Sequence, residues 1–339
     1  MRIAPLVRFA LAGAALALAG PATAAEGSKP VLTVYTYESF VPEWGPGPKI
    51  ETAFEAECGC DLQFVGLEDG VAILNRLKLE GASTKADVVL GLTTDLVPEA
   101  KATGFFADSG VDLKPLTIPG GYADPVFVPY DYSYLAFVYD TETVKNPPRS
   151  LDDLVEGDPN EKIAIEDART STPGLGLLLW MKSVYGDEAD EKWERLSRRI
   201  LTVTPGWSEA YGLFTKGEVP IVLSYTTSPA YHMIEEKTER YQAAAFTEGH
   251  YLQIEVAGRL NSADHPALAQ RFLQFMLTPQ AQDVIPTTNW SLPAARTASS
   301  LPEAFSKLVK VETPLSIDPE TVARNRRAWT QEWLTAVGK

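Results

Sequence analysis

Apolar residues recur along the chain in short bursts whose period switches between two and about 3.6, the signature of strands and helices in turn. Residues 31–37 (VLTVYTY) are β-branched and aromatic and predict a strand, followed by the loop Gly45-Pro46-Gly47-Pro48 and a helix over 50–57. A second strand is predicted over 61–65. Asp69-Gly70 then opens a stretch with Ile73, Leu74 and Leu77 on one helical face, closed by Gly81 as a stop signal. Residues 86–92 (ADVVLGL) form a nearly all-apolar strand. This alternation predicts an α/β protein with a mostly parallel sheet whose strands are buried.

Residues 127–139 (FVPYDYSYLAFVY) differ. They place Val128, Tyr130, Tyr132, Tyr134 and Val138 on one face at period two, and the run is long for one strand. The segment reads as a crossover between two lobes. Beyond it the rhythm resumes, with strands predicted over 162–165, 221–225 and 251–257 and helices over 173–185, 188–200, 208–216, 229–239, 265–277 and 279–285. Asp318 as cap and Pro319 at the first position open a last helix, on which Trp329 and Trp333 read as a packing face. At ~150 residues per domain, 339 residues suggest two domains.

Charge and the N-terminal segment narrow the class. Residues 1–24 hold Arg2 and Arg8, an apolar run from Phe9 to Gly20 and then Ala22-Thr23-Ala24, the layout of a secretory signal cut after Ala24. The apolar run falls short of the roughly 20 residues that span a bilayer. No cysteine precedes Cys58, which argues against a lipid anchor, so an exported protein is expected. The chain has 30 basic and 45 acidic side chains, and losing two arginines with the signal moves the net charge from −15 to −17. Such acidity disfavours a nucleic-acid partner and mildly favours a cationic ligand. The two cysteines sit as Cys58-Gly59-Cys60; in an oxidising compartment a disulfide is expected, with free thiols or metal ligation as alternatives.

Motif-bearing enzyme classes find no support. The chain has no G-x-x-x-x-G-K-[ST] loop, no G-x-G-x-x-G after a strand and no H-E-x-x-H, and Gly206-Trp207-Ser208-Glu209-Ala210 fails the G-x-S-x-G elbow at its last position. His232 and His250 flank apolar or aromatic segments and His265 starts a helix, where solvated or core positions explain them. A binding protein is therefore expected rather than an enzyme.

Two features point to a ligand. Aromatic residues stand in loops and at element ends: Tyr37 and Trp44 flank the first strand-to-helix connection, Trp207 precedes a helix, Tyr225 ends a strand, Tyr231 lies in a first helical turn and Trp290 sits beside Asn289. Rings so placed can stack on a flat ligand or hold a cation. Small polar residues or glycine also recur at helix starts, at Asp69-Gly70, 170–174, 206–208 and 226–229, where unpaired N–H groups suit an anion. Each alone is an ordinary cap. Together they suggest a cleft for a flat, partly cationic molecule that can carry phosphate.

In these segments the chain resembles the thiamine-binding periplasmic proteins, the soluble receptors of the thiamine ABC importer. The matching stretches are LTVYTYESF with Trp44-Gly45-Pro46-Gly47-Pro48, LEDGVAILNRL, ADVVLGL, RTSTPGLGLLLWM with VYGD, GWSEAYGLF, LSYTTSPAYH, EGHYLQIEVA and IPTTNW, spanning about residues 30–293. The resemblance implies a type II periplasmic binding protein fold, two lobes of mostly parallel sheet flanked by helices with the ligand between them. The N-terminal lobe would comprise 28–132 and 251–315 and the C-terminal lobe 133–250, with the helix of 316–339 assigned to neither.

The resemblance also implies a ligand set: thiamine, its monophosphate or its diphosphate, with no cofactor and no metal. The family's rings fall on Tyr37, Trp44, Trp207, Tyr225, Tyr231 and Trp290, and its polar contacts on Asp69, Gly70, Ser171, Thr172 and Ser228. N–H groups at Gly70 and Ser171, with the hydroxyls of Ser171, Thr172 and Ser228, suit phosphate or the hydroxyethyl tail. The rings suit the aminopyrimidine and thiazolium, and Asp69 either caps its helix or faces the positive ring. A monomer delivering ligand to a membrane permease, with the ATPase on a separate chain, is expected. The alternatives are a ferric iron receptor using Tyr225 and Tyr231, though Ser224-Tyr225-Thr226 lacks adjacent tyrosines, and a polyamine receptor; an exported enzyme ranks last.

Overall fold

The computed structural model describes residues 29–338, so the expected signal segment lies outside the described residues. Strands β1 (Val31–Tyr37), β2 (Asp61–Leu67) and β3 (Val88–Thr93) alternate with α1 (Gly47–Cys58) and α2 (Gly70–Glu80) and pair in parallel in the order β2-β1-β3. All of β3 is buried, as its apolar run requires of a strand covered on both faces. Cys58 and Cys60 are joined as a disulfide at the end of α1, next to a left-handed Gly59 cap.

The chain continues through α3 (Val97–Ala102), β4 (Phe127–Asp140), α4 (Leu151–Glu156), β5 (Ile163–Glu166), α5 (Thr172–Tyr185), α6 (Ala189–Leu196), β6 (Ile200–Thr204), α7 (Trp207–Thr215), β7 (Ile221–Tyr225), α8 (Pro229–Ile234) and β8 (Tyr241–Ala243). It closes with β9 (His250–Arg259), α9 (Pro266–Phe275), α10 (Pro279–Gln282), α11 (Ile285–Thr288), β10 (Leu292–Pro293), β11 (Pro314–Leu315) and α12 (Pro319–Val337). Strand β5 pairs in parallel with both β6 and β7, giving a second parallel group.

Antiparallel β4 and β9 join the two groups, in the order β2-β1-β3-β9-β4-β7-β5-β6. Residues Phe127–Tyr134 of β4 pair with β9, whereas Leu135–Tyr139 pair with β7. The long tyrosine-rich strand thus passes from one parallel group to the other, the crossover its length suggested.

Aromatic rings pack on both sides within one continuous core. Phe54 lies 5.3 Å from both Phe272 and Phe275 on one side, and Trp180 lies 5.2 Å from Phe246 on the other. Helix α12 binds to both. Arg326 pairs with Glu99 of α3, Lys182 of α5 pairs with Glu332 at 2.5 Å, and buried Trp333 meets Trp193 of α6 edge-on at 6.4 Å. Trp333 is therefore the packing residue expected, with Trp329 beside the Lys182 ammonium at 5.9 Å.

Three predicted helices are too long. That over 188–200 ends at Leu196, because Ile200–Thr204 is a β-branched run that pairs with β5. That over 229–239 ends at Ile234, before Lys237 with φ 55. That over 279–285 splits into α10 and α11, with Pro286 lacking the N–H needed to continue the ladder. Among the described residues no helix is long and apolar enough to cross a membrane.

Candidate functional site

A cavity of about 370 Å³ is lined by residues from both parallel groups, within the size range of small-molecule sites. All six sequence-chosen rings reach it. Trp207, the first residue of α7, stacks on Tyr211 one turn later, with centroids 4.7 Å apart and planes at 21°. Its Nε1 donates to Ser224 Oγ at 2.8 Å, and Ser224 in turn shares a 2.8 Å hydrogen bond with Ser228. The indole plane is thereby held from one edge and one face. Tyr225 ends β7 with its hydroxyl accepting from Gln253 Nε2 at 2.9 Å, and Tyr37 ends β1 with its hydroxyl accepting from Asn289 Nδ2 at 2.8 Å.

Tyr231 and Trp290 meet edge-to-face at 5.4 Å and 76°. Trp290 has φ 54, a left-handed conformation that a bulky side chain rarely adopts, and the backbone there turns the ring toward Tyr231. Trp44 is 56% exposed and stands at the rim.

The cavity's charge is one-sided. Among the described residues, Glu68, Asp69 and Glu255 line it, and no lysine, arginine or histidine does. Asp69 is buried, and both its oxygens are engaged: Gly70 N donates at 2.7 Å, Thr172 Oγ1 at 2.6 Å and Ser171 Oγ at 2.9 Å. Burial raises its carboxyl above the ordinary value, and these donors pull it part of the way back.

Gly70, Ser171 and Thr172 are buried and donate to Asp69, which stands on the cavity wall while they do not. Their donors already hold a carboxylate, and Ser171 Oγ also accepts from Gly174 N at 3.2 Å as the α5 cap. Gly70 is required for closeness: a Cβ there would lie 2.1 Å from the Gly91 carbonyl and 2.6 Å from Thr172 Cγ2. By contrast, α7 begins with no side-chain cap at Gly206, and Trp207 and Ser208 stand on the wall, so its first N–H groups are the ones left for an anion.

Sequence reasoning passed over Glu68, Tyr211, Glu255 and Asn289, which also line the cavity. Glu255 carried a signal: Gln253 and Glu255 are polar at period two inside an otherwise apolar strand. Tyr211 follows Trp207 by four residues on a helix, the spacing of same-face neighbours.

Two parallel groups joined by crossing strands, with an aromatic and acidic cavity lined by both, form the layout of a solute-binding receptor. The family profile of bacterial extracellular solute-binding proteins matches residues 34–283. A thiamine-binding periplasmic protein of Brucella suis is 59% identical over 100% of both chains. That of Escherichia coli is 56% identical over 94% of this chain and 96% of its own. A solved periplasmic thiamin binding protein is 57% identical with a TM-score of 0.90, covering 92% of this chain and 97% of that one. The chain belongs to the family of thiamine-binding periplasmic proteins.

Proposed function

We propose that the chain is an exported receptor that encloses thiamine between two lobes and hands it to an ABC permease whose ATPase is a separate chain. The observation that carries this reading is a cavity walled by seven aromatic rings and three carboxylates, with no basic side chain among the described residues, chemistry suited to a flat cation. Relatives sharing more than half of their residues carry thiamine in their names. The lobes comprise 28–132 with 251–315, and 133–250, and β4 and β9 cross between them. The receptor is a monomer, and its signal is removed after Ala24.

The rings of Tyr37, Trp44, Trp207, Tyr225, Tyr231 and Trp290 hold the aminopyrimidine and thiazolium, with Ser228 at the tail. A phosphate on the ligand meets the uncapped start of α7, or displaces Asp69 from Gly70, Ser171 and Thr172. The ferric reading has less support. Burial and the nearby Glu255 and Asp69 charges push the Tyr225 phenol well above its ordinary value, away from the phenolate that iron takes.

Calorimetry on ligand-stripped protein tests the proposal. Thiamine should bind with a Kd in the micromolar to sub-nanomolar range, about −8 to −13 kcal/mol. Absence of both heat and a melting shift at millimolar thiamine would overturn it, as would a native mass spectrum of freshly purified protein carrying iron or a polyamine instead.

A further inference from the structure

Asp131 of β4 and Glu255 of β9 stand directly opposite each other in the antiparallel ladder, where same-face side chains lie within roughly 5.5 Å at Cβ. A bulge sets this up. Between Pro129 and Asp131 the register slips, leaving Tyr130 as the extra residue, and its hydroxyl donates to Glu255. Asp131 is fully buried; Asn289 Nδ2 donates to one of its oxygens at 2.5 Å, and the other has no partner. Glu255 borders the cavity.

Like charges opposed across a ladder destabilise it, and among the described residues no basic side chain lines the cavity to relieve them. The groups that face Glu255 are Tyr37 at the end of β1, Asp69 before α2, Tyr130 and Asp131 on β4, Tyr225 on β7 and Gln253 on β9 itself. Glu166, at the end of β5, adds a further buried carboxylate beside Asp69 and Tyr225, with neither oxygen hydrogen-bonded. Carboxylates so placed are stable when they hold a proton between them or face a cation.

We propose that Asp131 and Glu255 form a proton-holding pair that selects for positive charge: without ligand the pair keeps a proton, and a cationic ring seated against Glu255 expels it to solvent. The proposal rests on the thiamine reading, since the thiazolium carries a permanent charge. Burial pushes Glu255 up to about 7, and burial with the Glu255 charge pushes Asp131 well above the carboxylate range. The two carboxyls together hold one proton near neutral pH, and the pair gives it up when a cation is seated against Glu255. One proton moves, and no electrons.

Calorimetry of thiamine binding in paired buffers of different ionisation enthalpy tests this. Below about pH 7 binding should release on the order of one proton, with affinity rising up to about tenfold per pH unit, and the release should vanish above about pH 8. Thiochrome, the flat neutral oxidation product of thiamine, should bind without proton release. Glu255→Gln should lower thiamine affinity at alkaline pH by about tenfold or more, flatten the pH dependence and erase the preference over thiochrome. Asp131→Asn, which removes the like charge and keeps Glu255, should move the dependence to lower pH.

If Glu255→Gln fails to fold, the wild-type buffer pairs and the thiochrome comparison carry the test. Thiamine binding without proton release overturns the pair and leaves the thiamine reading standing, as does a pH dependence kept in Glu255→Gln but lost in Asp69→Asn. No thiamine binding at any pH overturns both.

Discussion

Trp207→Ala is the sharpest probe of the cavity, because Trp207 has both a structural and a proposed binding role and the two separate by magnitude. The indole stacks on Tyr211 and donates to Ser224. Losing them costs about 0.5 to 1.5 kcal/mol for the stack and about 1 kcal/mol for the hydrogen bond, both in stability. In the complex the open face would lose ~0.5 to 1.5 kcal/mol of stacking and up to about 2 kcal/mol of attraction to a desolvated cation. A net affinity loss of ~1 to 3 kcal/mol, roughly 5- to 150-fold in Kd, follows. Trp207→Phe keeps a ring on Tyr211 and loses the hydrogen bond, so its affinity loss should be smaller, under about 1 kcal/mol.

Trp333 is the control, buried against Trp193 in α12 and α6 and remote from the cavity lining. Trp333→Ala should cost ~3 to 5 kcal/mol of stability and leave thiamine affinity within about twofold. Calorimetry at a temperature where circular dichroism shows all variants folded reads both effects. A folded Trp207→Ala that binds like wild type, or a folded Trp333→Ala that binds as poorly as Trp207→Ala, would refute the division between wall and core.

Replacing Cys58 and Cys60 together by Ser should cost about 1 to 2 kcal/mol, since so short a loop removes little unfolded-state entropy, and should leave thiamine affinity within about threefold because neither residue lines the cavity; thermal melts and calorimetry check both. Asp95 is buried with Tyr251 OH donating to it at 3.0 Å, and burial pushes it up to about 7 from an ordinary 3.8. A carboxyl raised on folding contributes stability that is complete below the unfolded value and is lost as pH climbs through about 7. Asp95→Asn should therefore flatten the fall in stability between about pH 4 and 8, a span of roughly 2 to 4 kcal/mol, in urea unfolding followed against pH. Ser171→Ala removes a donor to Asp69 and the α5 cap; if phosphate takes Asp69's place there, affinity for thiamine monophosphate should fall more than for thiamine, by above about 0.5 kcal/mol. Equal losses in side-by-side calorimetry would exclude that contact.

Local pattern was enough for the α/β class, for β4 as a crossover and for all six rings at the cavity. The reason is physical: a period of two or 3.6 and a turn residue act within a few positions of chain, and ring-bearing residues at element ends stand at the edge of the sheet, where a cleft opens. Pattern failed where pairing partners outbid local tendency. The helix expected over 188–200 yielded its end to β6 because β5 offers Ile200–Thr204 a parallel edge. The convergence of Ser171 and Thr172 on Asp69 joins residues about a hundred positions apart, which no local pattern shows. The opposition of Asp131 to Glu255 depends on a one-residue slip in the β4–β9 register. Composition and periodicity specify which face of an element is buried; they carry no information about which distant face it meets, or in what register, and that meeting is what makes Asp69 an internal anion and sets Glu255, on the cavity wall, opposite a buried Asp131.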